Sequence, residues 1–530
     1  MTPDISASAD LLGLFPPGSR VDSDGELVVA GCRVADLAAT WGTPLFVVDE
    51  GAVRAQVGRF GRALAAGWEN SRMVFASKAF PCTAMYRLMA SAGIGVDVAG
   101  PGELAMALAG GVDPALIIMH GNAKTTEELQ TAVGAGVGLI VIDNDDDIDR
   151  LEDLVTSEQP VLVRVIPGVR PDTHEAVATG QAGSKFGLPI PAARAAIARL
   201  RHSGKLRLDG VHMHIGSQIL SPEPYAPAIE AIAGLGEFPV YDLGGGLGAR
   251  YTYTDDPPSP EDWIEALLAA ARKHLPPDAQ IIIEPGRSLV APFGVTLYRV
   301  VSVKGDDPRF VAVNGGMADN MEVALYGQRF EATVTSRVGG GGRVDLVGRH
   351  CESGDRLING VPLRDPRPGD LVAVAATGAY CYSLASNYNG AMRPPVVFCD
   401  DGQPRLVVRR ETIADFLSRD VTEALSSRSM KTTTAFIDSP GGGAIAAPAA
   451  SWLRLGTLAS ISFRRRRDQV PCRHLDRQRQ EPAQPGDLGH RREGTCSTPQ
   501  GTTTVLTGAH ADQGRIGDRD ADAGRRDDLG

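Results

Sequence analysis

Met73-Val74-Phe75-Ala76-Ser77-Lys78-Ala79-Phe80 is a short apolar run closed by a lysine, with a helix-like stretch after it. A run of this length bounded by polar residues reads as a buried strand whose last residues open onto the mouth of a sheet or barrel. The same unit of apolar strand, polar or Gly-containing turn and Ala/Leu-rich helix recurs from about Leu45 to Val300. Its strands are Leu45-Val48, Met73-Ala76, Gly95-Val98, Ile117-Met119, Leu139-Ile142, Val161-Val165, Leu208-His212, Val240-Leu243 and Ile281-Ile283. Helical stretches such as Gly102-Ala109, Thr126-Ala135, Ile190-Arg201 and Glu261-His274 lie between them. Serial alternation of this kind predicts a parallel sheet, closed as a barrel or doubly wound. Motifs that follow directly on strands then crown the C-terminal strand ends, where such folds place their chemistry.

Past Pro292 the pattern changes. Val295-Val303, Phe310-Asn314, Arg343-Val347, Asp370-Ala375 and Pro395-Phe398 are short, β-rich and separated by Gly, Pro and Asp, which reads as an antiparallel β-domain. Glu26-Val34 reads as a further strand of it, so the alternating region is inserted within the β-domain. Beyond about Leu425 lysine stops at Lys431, arginines multiply around Arg464-Arg467, and Phe463 is the last aromatic. That composition reads as a disordered or aberrant tail rather than a nucleic-acid or targeting patch.

Composition narrows the function classes. A chain of 530 residues with 43% hydrophobic and 22% charged content suits a soluble enzyme of two domains and an appendage. A net charge of −11 argues against nucleic acid and gives no cue for a membrane surface. No apolar stretch is long enough for a bilayer, and Met1 to Arg20 shows no secretory signal. The seven cysteines are scattered without paired metal-ligand spacing, so the expectation is a reduced, cytoplasmic setting and no metal site.

Six segments carry chemistry. A lysine at a strand mouth is expected to be partly desolvated, with a lowered pKa and a nucleophilic amine suited to a Schiff base with a carbonyl. Its bland alternative is a snorkelling side chain at a strand end. His214-Ile215-Gly216-Ser217 sets an imidazole and a hydroxyl after another strand. Asp242-Leu243-Gly244-Gly245-Gly246-Leu247-Gly248 lets the backbone approach a phosphate closely, though a glycine run alone is more often a tight turn. Glu284-Pro285-Gly286-Arg287 ends a strand with an ion-pair-forming carboxylate, and beside a lysine and a phosphate loop it suits the pyridine nitrogen of pyridoxal phosphate. His350-Cys351-Glu352-Ser353-Gly354-Asp355 offers a buried thiol or a proton donor, and Ala376-Thr377-Gly378-Ala379-Tyr380 follows it in the β-region.

Together these motifs resemble the diaminopimelate decarboxylases, fold-type III pyridoxal-phosphate enzymes, over roughly Glu26 to Val421. The resemblance implies a TIM-type (β/α)8 barrel at residues 45–294, an N-terminal segment at 1–44, a β-domain at 295–425 and a tail at 426–530. It implies that Lys78 carries the cofactor as an imine, that His214 stacks on its ring, and that Glu284 pairs with its pyridine nitrogen. Ser217, Gly245, Gly246 and the Gly286-Arg287 backbone would hold the phosphate. The Arg287 side chain and Tyr326 would receive the carboxylate that the substrate keeps, and Tyr380 would touch cofactor and substrate. Cys351 would return a proton after carbon dioxide leaves, and Glu352 would take the distal ammonium, both from the partner subunit of a homodimer. The activity implied is conversion of meso-diaminopimelate to L-lysine.

One position departs from the family. Glu322 in Asp319-Asn320-Met321-Glu322 stands where the family usually has an arginine for the retained carboxylate. Three readings follow: an exposed loop substitution, a Glu322 turned away while Arg287 or Arg329 compensates, or a different substrate. The remaining alternatives are a decarboxylase of this fold acting on another amino acid, or a non-catalytic homologue.

Overall fold

Valine, isoleucine and leucine dominate the short segments of the alternating region because their side chains are covered on both faces, as a helix-wrapped parallel sheet requires. In the computed structural model, which describes residues 12–172, 179–181 and 183–421, eight such strands form a ring. They are β1 (Ser71–Ala76), β2 (Gly95–Val98), β3 (Ile117–Met119), β4 (Leu139–Ile142), β5 (Gln159–Ile166), β6 (Leu206–Met213), β7 (Val240–Asp242) and β8 (Gln280–Ile283). All pair in parallel, β8 returns to β1 through Ile283↔Met73, and β4 meets β5 through Val141↔Leu162, so no edge is left. A two-residue strand, Leu188–Pro189, adds to β5. The barrel alternative is the one adopted.

Side-chain alternation along each strand separates two environments. Residues such as Phe75, Val96, Val98, Met119, Val163, Met213 and Ile283 face outward into the main core beneath the helices. Val74, Ile118, Leu139, Val141, Leu162, Val240 and Ile282 form a separate apolar cluster, the barrel interior. The helices carry their own signals. Thr125 and Glu128 form a capping box on Thr126–Ala135, and Asp49 caps Glu50–Gly67 at Ala52 N.

The second large sheet corrects three expectations. Leu45–Asp49 is not a barrel strand: it pairs antiparallel with Gly294–Lys304 and parallel with Val396–Asp400. All five of its residues are buried, so its composition matches that of a barrel strand. The sheet is mixed rather than antiparallel, because Phe310–Val313 and Gly342–Val347 also run parallel. The barrel intervenes between the two central neighbours Leu45–Asp49 and Gly294–Lys304 of that sheet. Glu26-Val34, in turn, is not one strand of it. Ala30 and Gly31 both take positive φ (50° and 79°), which folds the run into a tight hairpin of Leu27–Val29 and Cys32–Arg33. With Arg20–Val21 the hairpin makes a separate three-stranded sheet, tied to the larger domain by Leu27 N donating to Thr335 O at 2.9 Å.

Residues 426–530, read above as a tail, lie outside the described residues. Among the described residues no helix is long and apolar enough to cross a membrane.

Gly210 leaves no room for a side chain in the barrel wall. A Cβ there would stand 1.8 Å from Val240 O, beside the register shift between Leu208 and Gly210. Gly210→Ala is expected to cost about 1–3 kcal/mol by overpacking. Urea unfolding measures it, and an unchanged midpoint would mean that β6 yields freely.

Candidate active site

Each barrel strand that puts an apolar residue into the interior tends to end two residues later in an ionisable one on the same face. Ile118 is followed by His120, Val141 by Asp143, Leu162 by Arg164, Val240 by Asp242 and Ile282 by Glu284, and Asp97 and His212 complete the ring. All seven are at least nine-tenths buried, so the barrel interior is apolar below and charged above.

Lys78 sits on the rim of this layer, in the short 3₁₀ turn Ser77–Ala79 that follows β1. Its side chain is exposed rather than desolvated, which corrects the expectation, because the turn lifts it out of the barrel wall. Ser77 N donates to Asp97 Oδ1 at 2.7 Å and fixes the turn. Two recesses meet at Lys78. One is lined by Ala76, Asp97, His214, Ser217, Gly246, Leu247, Glu284, Gly286, Arg287 and Tyr380. The other is lined by Asp97, His120, Asn122, Arg164, Phe186, His212, His214 and Glu284.

The glycine loop after β7 is a cradle. Gly246 has φ +118°, and a Cβ there would lie 2.6 Å from both Gly216 O and Tyr225 OH. Gly245 admits no side chain either, since its Cβ would fall 2.0 Å from Glu284 O. Gly245 N donates to His214 Nδ1 at 3.3 Å, and Tyr225 OH donates to Gly245 O at 2.9 Å. Gly286 closes the opposite side, where a Cβ would lie 2.8 Å from Ala76 Cβ.

Below the cradle Glu284 is 6% exposed. His120 Nε2 lies 2.8 Å from its Oε1, and His212 Nε2 3.3 Å from its Oε2 without hydrogen-bond alignment. Burial alone would push Glu284 up, but chiefly His120 overcomes it and holds the carboxyl well below its usual range. Its neighbour Asp242 is pushed well above its range by burial and by Glu284. His212 is depressed to about 3 by burial, and His214 is held well below its range by burial and by Lys78, so both imidazoles are neutral. His120, Asp97 and Arg164 were not singled out from sequence. For His120 and Arg164 the signal is the period-2 continuation past the inward apolar residues Ile118 and Leu162; Asp97 follows Gly95 and carries no such signal.

Arg287 and Glu322 form a buried pair. Arg287 Nη1 donates to Glu322 Oε1 at 3.0 Å and to Tyr251 OH at 2.5 Å, and Arg287 Nε donates to Ser217 Oγ at 3.2 Å. The guanidinium also stacks over the Tyr380 ring at 4.5 Å. Tyr380 holds a positive φ of 63°, and its N donates to Ala79 O at 2.8 Å, which ties it to the Lys78 turn. Glu322 is 1% exposed, so the exposed-loop reading is overturned. Burial raises its pKa and Arg287 pulls it back. Tyr326, at the end of the short helix Glu322–Tyr326, is half-buried and lines neither recess, and Arg329 is exposed. Cys351 and Glu352 are exposed and line neither recess; Glu352 borders a separate hollow with Lys304, His350 and Asp355.

A family model described as "Pyridoxal-dependent decarboxylase, pyridoxal binding domain" matches residues 50–291. Diaminopimelate decarboxylase of Actinosynnema pretiosum subsp. auranticum is 44% identical over 422 residues, covering 77% of this chain and 95% of the relative. The chain belongs to the diaminopimelate decarboxylase family. Diaminopimelate decarboxylase of Mycobacterium tuberculosis (strain H37Rv) is 41% identical, with 77% of this chain and 98% of the relative covered. Among solved structures, diaminopimelate decarboxylase from M. jannaschii in complex with L-lysine superimposes with TM-score 0.72 at 28% identity, covering 77% and 98% of the two chains. The Helicobacter pylori diaminopimelate decarboxylase with L-lysine gives 0.69 at 27%, covering 73% and 98%. In a family defined by pyridoxal phosphate, the cradle, the rim lysine and the buried anion of this chain fit the cofactor's phosphate, aldehyde and pyridine nitrogen in turn.

Asp97 makes the site's charge sensitive to pH. Burial pushes its carboxyl from 3.8 up to about 7, Glu284 pushes the same way, and Lys78 and His120 pull back. A folded-state value above the unfolded one contributes stability that is complete below 3.8 and lost as the pH rises through about 7. The stability of cofactor-free protein is therefore expected to fall across that window more steeply than that of Asp97→Asn. Parallel pH profiles for the two would contradict it.

Proposed function

We propose that this chain decarboxylates meso-2,6-diaminopimelate to L-lysine and carbon dioxide with pyridoxal 5'-phosphate, the closing step of lysine biosynthesis. The observation that carries it is the convergence of Lys78, the glycine cradle and Glu284 on one recess in a member of this family. Lys78 Nζ would hold the cofactor through its aldehyde. Ser217, Gly245, Gly246 and the Gly286–Arg287 backbone would hold its phosphate, His214 its ring and Glu284 its pyridine nitrogen. Bound pyridoxal phosphate supplies the electron sink for the carbon that loses its carboxylate. Cys351 Sγ returns a proton to that carbon, Glu352 binds the distal ammonium, and Tyr380 borders cofactor and substrate. Arg287 receives the retained carboxylate, with Glu322 holding part of its fork. The L-lysine in the two similar structures supports a lysine-shaped product.

Cys351 and Glu352 lie away from the Lys78 recesses of their own chain, which supports a homodimer whose sites are shared. The free cysteines of the described residues accord with a cytoplasmic setting. Purified chain with added cofactor is expected to release carbon dioxide from meso-diaminopimelate, and a cofactor-loaded chain that does not would sink the assignment. Lys78→Ala and Cys351→Ala are each expected to be inactive. Mixed, they should regain up to about a quarter of wild-type activity through one intact site per hybrid dimer. No recovery from exchanged subunits would place both residues in one chain's site.

A second reading rests on Glu322 alone. Its carboxylate neutralises Arg287 inside the site, so a substrate end that is cationic or neutral would be preferred over a second carboxylate. Glu322→Gln removes the charge at nearly constant shape. On this reading it raises turnover of diaminopimelate relative to L-lysine and L-ornithine, and an unchanged ratio makes the pair purely structural.

A further inference from the structure

Four strand ends meet beneath the recess. β3 delivers His120, β6 His212, β7 Asp242 and β8 Glu284, and one ligating atom from each lies within 4.8 Å of the others. A barrel of this type fills its interior with branched apolar side chains, and the layer below does so with Val74, Ile118, Leu162, Val240 and Ile282. Packing therefore does not call for this polar layer. A carboxylate this deep would take up a proton unless something held its charge.

His120 supplies the aligned contact. Its Nε2 lies 2.8 Å from Glu284 Oε1, and since a carboxylate only accepts, that nitrogen carries the proton. His212 stands behind it, with ring centroids 4.8 Å apart and planes at 67°, and neither of its own nitrogens has an aligned partner. Asp242 uses one oxygen to accept Gly244 N at 2.9 Å, and burial and the neighbouring Glu284 hold its carboxyl well above its usual range. Lys78 and Asp97 from the rim, and Arg72 and Arg164 from the barrel wall, are the other charges acting on the cluster.

We propose that His120, backed by His212, is a positioning residue that holds Glu284 as an oriented anion beneath the cofactor's pyridine nitrogen. It acts through Glu284 and does not itself touch the reacting atoms. The inference rests on the cofactor placement proposed above.

The test uses pyridoxal phosphate labelled with ¹⁵N in its ring, bound to wild type, His120→Leu and His120→Gln. The nitrogen shift should report a protonated ring in wild type and an unprotonated one in His120→Leu, whose cofactor affinity should fall roughly tenfold or more. His120→Gln keeps an N–H donor and should restore the protonated signal. A protonated ring in His120→Leu overturns the proposal. If His120→Leu binds no cofactor, or if wild type binds none, isotope-edited infrared spectra of cofactor-free protein decide. A protonated Glu284 carboxyl in His120→Leu, ionised in wild type, supports the role of His120, and an ionised carboxylate in both defeats it. Failure of wild type to bind the cofactor would instead overturn the reading of the recess.

Discussion

A carboxylate held ionised at the centre of a closed barrel is the constraint around which this molecule is arranged. Glu284 is nearly withdrawn from water, and the charge it keeps has to be stabilised by dipoles and protons that the barrel itself supplies. The neighbouring groups are arranged accordingly. Asp242 takes the neutral role, two imidazoles flank the anion, and the strands that deliver them are pinned by a closed ladder. Because the wall is closed, the relative positions of β3, β6, β7 and β8 cannot drift without breaking pairings elsewhere in the ring. The glycine cradle and the Lys78 turn are then set by strands whose spacing the same ladder fixes.

The second arrangement of buried charge is simpler. Arg287 and Glu322 come from the end of β8 and from the β-domain segment after Phe310–Val313, so their pairing joins the two halves of the structure inside the site. Removing one partner of such a pair typically costs about 3–5 kcal/mol because the other is left buried and unpaired. Tyr251 and Tyr380 complete the surround of the guanidinium, so the cation is oriented by the protein before any ligand arrives.

Much of this was legible in the chain. Apolar runs ending in Lys78, His214, Asp242 and Glu284 located strand ends because burial on both faces leaves few residue types available. That same uniformity misplaced Leu45–Asp49, since a strand at the centre of a mixed sheet and one in a barrel wall bury equally well. Glu26-Val34 failed for a local reason, a positive φ at Ala30 that alanine's identity does not announce. The exposure of Lys78 depends on a three-residue turn, and that of Cys351 and Glu352 on how the β-domain is placed, neither of which leaves a periodic trace. His120 follows a three-residue strand, too short for its alternation to stand out. Glu322 was visible as a departure, but its burial against Arg287 is a contact between residues 35 positions apart.

The position of Leu45–Asp49 also bears on how the protein is made. Phe46 pairs with Thr296 on one side and with Val396 on the other, so its second neighbour is synthesised 396 − 46 = 350 residues later. Until then the stretch Leu-Phe-Val-Val is an apolar strand with an unsatisfied backbone edge, the kind of segment that recruits other chains. The intervening barrel closes on its own ladder and needs no pairing from this strand. A nascent chain can therefore carry a finished barrel while its first long strand still waits for its last neighbour, a stage at which a chaperone holding the N-terminal region would matter most.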